Sequence, residues 1–123
     1  MSLTWSDTFG AAASDYDLYL VDNATSALVG VGGDDNIGVT GAPAEVAAYT
    51  NTTGVARYID IEVTNFLGTQ PTHTLELFVF GGVDLGNGTE LNFNTMRSSV
   101  PGQNDSGDGV VSVGAISASD AGI

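Results

Sequence analysis

The chain reads as an all-β domain, an antiparallel β-sandwich of jelly-roll-like type, and three observations lead there. Apolar residues recur with a period of two over several short runs, which is the signature of half-buried strands. Turn-forming residues, among them many of the 17 glycines, separate those runs at intervals of about ten residues. No segment carries an apolar stripe at helical spacing. A closed barrel is the alternative arrangement, because strand order is not written in such patterns.

The first short strand is Leu3-Thr4-Trp5-Ser6-Asp7, with Leu3 and Trp5 on one face and Trp5 as an anchor. A small-residue loop, Thr8 to Ser14, leads into the best-defined strand. There Tyr16, Leu18 and Leu20 alternate with Asp17, Tyr19 and Val21, and Asp15 and Asp17 stand at the entry. A turn at Asn23 to Ser26 brings back a hairpin partner, Ala27 to Val31. The longest irregular stretch, Gly32 to Pro43, holds Gly32-Gly33-Asp34-Asp35-Asn36, a flexible backbone with several side-chain oxygens.

Further strands are expected at Val46 to Thr50 and at Val55 to Val63, where Arg57 interrupts a β-branched face. Asn65 to Thr72 is read as a loop. Thr74 to Phe80 is apolar on both faces and is therefore expected at the centre of a sheet. Another strand is expected at Val83 to Phe93. After a loop at Ser98 to Gly109 comes Val110 to Ile116, an apolar run of small residues typical of buried parallel strands. The division expected is a β-sandwich over 1–97 and a linker with a strand fragment over 98–123.

Composition narrows the function. With 123 residues, one hydrophobic core is expected. Fifteen acidic residues stand against two basic ones, Arg57 and Arg97, for a formal net charge of -13. Such a surface repels phosphate backbones and anionic lipids, so neither nucleic acid nor membrane is an expected partner. High salt and divalent cations suit it. The absence of cysteine excludes disulfides and thiolate zinc sites. Met1-Ser2-Leu3 carries neither a basic stretch nor a signal core and is not read as the natural start of an exported precursor.

The candidate chemistry is sparse. A serine hydrolase needs a nucleophile, a base and an oxyanion hole in one constellation. The sequence has a single histidine, His73, and no Gly-x-Ser-x-Gly. His73 is read as a surface or sheet-edge residue, and no catalysis is expected of this chain. Calcium takes six to eight oxygen ligands, and Asp7, Asp15, Asp17, Asp34, Asp35 and Glu45 all fall at strand ends or in the long loop. The competing reading has Asp15 and Asp17 accepting backbone N–H bonds at a tight corner and Glu45 pairing with Arg57.

Two sets of residues carry a family resemblance. Gly109-Val110-Val111-Ser112-Val113-Gly114-Ala115-Ile116 resembles the V-x-V-G-A-V core strand of subtilisin-like serine proteases. The series Trp5-Ser6-Asp7, Asp15-Tyr16-Asp17-Leu18-Tyr19-Leu20, Pro43-Ala44-Glu45 and Tyr58 to Val63 resembles the jelly-roll, pre-peptidase C-terminal-like modules attached to or inserted in bacterial subtilases. The resemblance implies an inserted accessory domain followed by the returning catalytic strand, in a secreted bacterial protease. Its partners would be the catalytic domain in cis and the protein substrate of that protease. It also implies calcium on Asp7, Asp15, Asp17 and Glu45, with Asp34 and Asp35 as further candidates from the long loop. Outside its parent sheet, Val110 to Ile116 would be disordered, fold back as an edge strand, or pair two copies into a homodimer. The other function class is a free-standing carbohydrate- or surface-binding sandwich, for which Tyr19, Tyr49 and Tyr58 would form an exposed row.

Overall fold

A computed structural model describes residues 1–68 and 72–80, which belong to a compact unit spanning Met1–Phe80. Six strands form in it: β1 (Ser2–Trp5), β2 (Ser14–Asp22), β3 (Ala27–Gly32), β4 (Ala44–Val46), β5 (Ile59–Gly68) and β6 (Leu75–Phe78). They make two antiparallel three-stranded sheets, β4-β1-β6 and β3-β2-β5. The all-β sandwich expected from the sequence is therefore the observed architecture.

The central strand of each sheet supplies the core. Leu3 and Trp5 of β1 meet Tyr16, Leu18 and Leu20 of β2, with Ala47 beside them and Met1, Val29, Tyr49, Ile59 and Ile61 at the margin. Leu3, Leu18 and Leu20 have essentially no accessible surface. Burying each contributes on the order of 1.5–3 kcal/mol. The period-two pattern of 16, 18 and 20 is what aims all three β2 side chains inward.

Irregularities in β2's pairings shape its neighbours. The register of β2 and β5 shifts between Asp15 and Tyr16, which oppose Leu67 and Asn65, so Phe66 is the extra residue on β5. Phe66 consequently turns outward and is 67% exposed. β5 ends at Gly68, whose φ of 102° belongs to a region that side chains avoid. A Cβ there would collide with the carbonyl of Ala13. In β3, Gly32 passes so close to β4 that a Cβ would lie 2.7 Å from the Val46 carbonyl oxygen and 2.8 Å from Glu45 Oε2. That close approach is how the long loop brings β4 against the end of β3.

Several expectations are corrected. β5 starts at Ile59 rather than Val55 and runs through Asn65 to Gly68, a stretch read as loop. Upstream, Asn51 accepts from the N–H and hydroxyl of Thr53 and donates to the Val55 carbonyl, so a side-chain-closed turn takes residues that alternate like a strand. Downstream, Ser14 and Asp15 pair with Gly68 and Leu67 and carry the ladder on. The strand expected at Val46 to Thr50 is instead Ala44–Val46. Among the described residues β6 pairs with β1 at the margin of its sheet, with Leu75 and Leu77 exposed, and whether another strand covers its far side lies outside the described residues. The strands expected at 83–93 and 110–116, and the boundary after residue 97, lie outside the described residues.

Candidate functional site

Two polar centres occupy the ends of β2, and the sequence candidates divide between them. At the first, β1 hands over to a loop at Asp7, and that carboxylate organises everything nearby. Its Oδ2 accepts from the Trp5 indole (3.1 Å), from the Ala13 N–H (3.0 Å) and from the Ser14 N–H (2.9 Å). Its Oδ1 faces His73 Nε2 at 3.2 Å. The other imidazole nitrogen, Nδ1, lies 2.9 Å from the Tyr16 hydroxyl. Nε2–H is placed to donate to the carboxylate, and Nδ1 and the Tyr16 hydroxyl form a second hydrogen bond whose direction follows the tautomer.

The rings are stacked edge to face as well, Trp5 on Tyr16 at 5.1 Å and Tyr16 on His73 at 5.7 Å. Burial pushes the Asp7 carboxyl up, but the N–H groups of Ala13 and Ser14, the indole and His73 outweigh it and hold the acid below its ordinary value. One residue on, the Thr74 N–H donates to Ser6 Oγ at 3.2 Å and ties the start of β6 to the end of β1. The His73 side chain is only 6% exposed. This corrects the expectation of a surface or sheet-edge histidine. The physical reason is that β6 pairs with β1 along Trp5↔Leu75, which lays residue 73 over Asp7 and Tyr16.

The second centre is acidic. Asp15, Asp17 and Glu45 are 4%, 7% and 2% exposed, and Asn36 is fully buried among them. The Asn36 N–H reaches Asp15 Oδ1 at 3.5 Å, and its side-chain amide donates to the carbonyls of Ala42 (3.0 Å) and Ala44 (3.3 Å). Glu45 Oε1 accepts the Asp34 N–H at 3.1 Å. Tyr19 donates to Asp17 Oδ2 at 2.5 Å. Asp35 caps the short Asn36–Thr40 turn by accepting from the Ile37 N–H.

Burial raises the Asp15 carboxyl, with Asp17 and Asp35 adding to the effect against the Asn36 N–H. Burial likewise raises Glu45, against bonds from the Asn36 side chain and the Asp34 N–H, and Asp34 and Asp17 repel it further. The hydrogen bond to Asp17 raises the Tyr19 phenol. Among the described residues, no three acidic or histidine side chains come close enough to hold one metal ion.

The four residues that the resemblance grouped are therefore split. Asp7 belongs to the Trp5–His73–Tyr16 centre, while Asp15, Asp17 and Glu45 gather with Asn36 at the other. Asp34 and Asp35 flank that second centre through their backbone and cap bonds. Glu45 does not pair with Arg57. Arg57 lies 3.7 Å from Asp22, which also closes the β2–β3 turn by accepting from the Ala24 and Thr25 N–H groups and the Thr25 hydroxyl. Burial raises Asp22, but these bonds and Arg57 bring it below its ordinary value. The aromatic row is not formed: Tyr49 packs on the core, Tyr19 is half-buried, and only Tyr58 is well exposed. Sequence reasoning placed Asn36 in the oxygen-bearing loop but missed Trp5 and Tyr16 as polar-centre residues; the Trp5-x-Asp7 and Asp15-Tyr16-Asp17 spacings held the available signal.

Chemically the first centre is closed. Both nitrogens of its imidazole have partners and the side chain is buried, so it fastens β1, β2 and the approach to β6. The second centre concentrates oxygen donors and negative charge. What fold and centres define together is a class: an all-β sandwich domain with an aromatic–carboxylate–histidine staple at one end of its central strand. No protein-family model, no curated protein and no solved structure matches the chain.

Proposed function

We propose that this chain is a non-catalytic accessory β-sandwich of a secreted bacterial subtilisin-like serine protease. It works in cis beside the catalytic domain, stabilising it or assisting access of its protein substrate. The single observation that carries the reading is the fate of the histidine. The chain has one, and its Nε2 and Nδ1 are both engaged within the fold, by Asp7 and Tyr16. A general base has to present one nitrogen to a nucleophile or substrate, and here that nitrogen would have to leave a buried network.

The residues that carry the resemblance also fit an accessory role. Trp5, Tyr16, Leu18 and Leu20 fill the core, and Asp7 organises the staple. Those positions therefore specify a sandwich rather than a reaction. The test is the coding sequence on both sides of this chain. Subtilase Asp and His segments upstream and a Gly-Thr-Ser segment downstream are expected. Their absence from an otherwise complete reading frame would overturn the proposal.

A further inference from the structure

We propose that the outer face of the β3-β2-β5 sheet is a docking surface for a basic protein segment, one that carries lysine or arginine beside apolar side chains. The argument begins with alternation. Tyr16, Leu18 and Leu20 of β2 point into the core, so Asp17, Tyr19 and Val21 point the other way. An antiparallel sheet with one packed face ordinarily turns polar side chains to the other. Here the central strand presents Tyr19 and Val21 instead, both half-buried.

The neighbouring strand extends the patch, and a bulge is what lets it. Leu20 opposes Gly30 and Val21 opposes Leu28, so Val29 is the extra residue on β3. Val29 packs at the margin of the core. The change of parity turns Leu28 outward beside Val21, while Val31 stands beside Tyr19. A Cβ on Gly33 would lie 3.4 Å from Asp17 Oδ1 and 3.5 Å from the Val31 side chain, so Asp17 and Val31 share this face. Leu28 and Val31 are 58% and 52% exposed. Two adjoining rows, Leu28 with Val21 and Val31 with Tyr19, therefore hold a contiguous apolar strip in solvent, as an interaction site does and scattered surface residues do not.

Charge states what covers it. On the other flank of β2 the same two rows continue into Asp60, opposite Val21, and Glu62, opposite Tyr19. Both acids are exposed. Asp60 accepts from the Asn23 side-chain amide at 2.8 Å, and neither acid meets a cation among the described residues. Arg57, the one lysine or arginine there, is committed to Asp22. With a net charge of -13 the chain opposes a second copy of itself and attracts a cationic partner. The partner's apolar side chains would cover Leu28 and Val31, and its cationic groups would reach Asp60 and Glu62. The proposal does not rest on the accessory-module reading.

The test is calorimetric titration of the full chain, near physiological ionic strength, with three synthetic octapeptides: alternating Lys-Leu, alternating Lys-Ser and alternating Glu-Leu. The Lys-Leu peptide should bind at least about tenfold more tightly than the Lys-Ser peptide, and the Glu-Leu peptide should not bind. Leu28→Ser/Val31→Ser should weaken Lys-Leu binding about tenfold. Glu62→Gln should weaken it and flatten its salt dependence, and this variant with the peptide comparison decides the matter if the double variant does not fold. Val46→Ser, on an exposed side chain of the other sheet, should leave binding unchanged. Equal affinity for the Lys-Leu and Lys-Ser peptides would overturn the proposal, because charge alone would then account for binding. So would no binding of the Lys-Leu peptide, or affinity that the Leu28→Ser/Val31→Ser variant retains. Sedimentation showing a dimer that this variant dissolves would also overturn it, by making the occupant a second copy.

Discussion

Replacing Asp7 by alanine is the sharpest perturbation of this fold, because one carboxylate serves four donors. Ala13 is exposed, so water can replace the bond to its N–H. Ser14 is fully buried and Trp5 is nearly so, so their donors would be stranded, as would His73 Nε2. Two stranded buried donors at about 1–3 kcal/mol each, with some relaxation and loss of the histidine contact, give a destabilisation of about 4 kcal/mol. At about 0.05–0.15 kcal/mol per residue, a unit of this size has on the order of 4–12 kcal/mol in all. Asp7→Ala should therefore remove a third of the stability or more.

Asp7→Asn should cost about half as much. It keeps an oxygen for the N–H groups and forces His73 to present its other tautomer. Urea unfolding followed by the fluorescence of Trp5, the chain's one tryptophan, measures each variant. The His73→Ala and Asp7→Ala/His73→Ala variants complete a cycle, with a coupling of about 0.5–3 kcal/mol expected. A loss below about 0.5 kcal/mol for Asp7→Ala, within the range of ordinary surface substitutions, would refute the reasoning. So would strict additivity in the cycle.

Three further outcomes follow from the same structure. Leu20→Ala should destabilise by about 2–5 kcal/mol in the same urea assay, since its side chain is wholly buried at the centre of the sandwich. Gly68→Ala should cost more than about 1 kcal/mol by thermal unfolding, because alanine meets both an unfavourable φ and the Ala13 carbonyl; an unchanged melting temperature would contradict the placement of the β5 terminus. The pH profile of stability in calcium-free buffer should have two limbs. Asp7 and Asp22 are held below their ordinary values, so their contribution is present above the unfolded-state pKa and is lost as pH falls through the folded one. Asp15 and Glu45 are raised, so theirs is present at low pH and is lost as pH rises from the unfolded value through the folded one. Urea midpoints between pH 3 and 7 should show Asp7→Asn flattening the acid limb and Glu45→Gln flattening the other.

The sandwich was legible in the sequence where a local rule dictates geometry. Alternation placed Tyr16, Leu18 and Leu20 on one face and paired Leu3 with Trp5, and both faces are the core. The hairpin from β2 to β3 was legible through its Asp-Asn turn. What escaped depends on partners distant in sequence. Val55 to Tyr58 alternate like a strand, yet Asn51 captures the Val55 carbonyl. The extra residue at Phe66 shifts the register by one, and nothing local announces it.

The same distinction separates the two centres. The acidic loop and the Asp-x-Asp entry of β2 were recognisable as a concentration of oxygens, but the burial of Asn36, whose side-chain N–H groups bond to the Ala42 and Ala44 carbonyls, depends on the chain folding back at β4. The staple was hidden more deeply: His73 is 57 residues from Tyr16, and only the pairing of β6 with β1 brings it there. Its place after Gln70-Pro71-Thr72, at the start of a strand, suggested a surface or sheet-edge residue. Fold placement reversed that expectation.

The central claim is that the chain's one histidine is a buried structural residue. Diethyl pyrocarbonate modification tests it most directly, because a single histidine makes the absorbance change unambiguous. In the folded protein near neutral pH His73 should resist modification, and it should react fully once urea has unfolded the chain. Rapid stoichiometric reaction with the Trp5 fluorescence of the folded state intact would contradict the account.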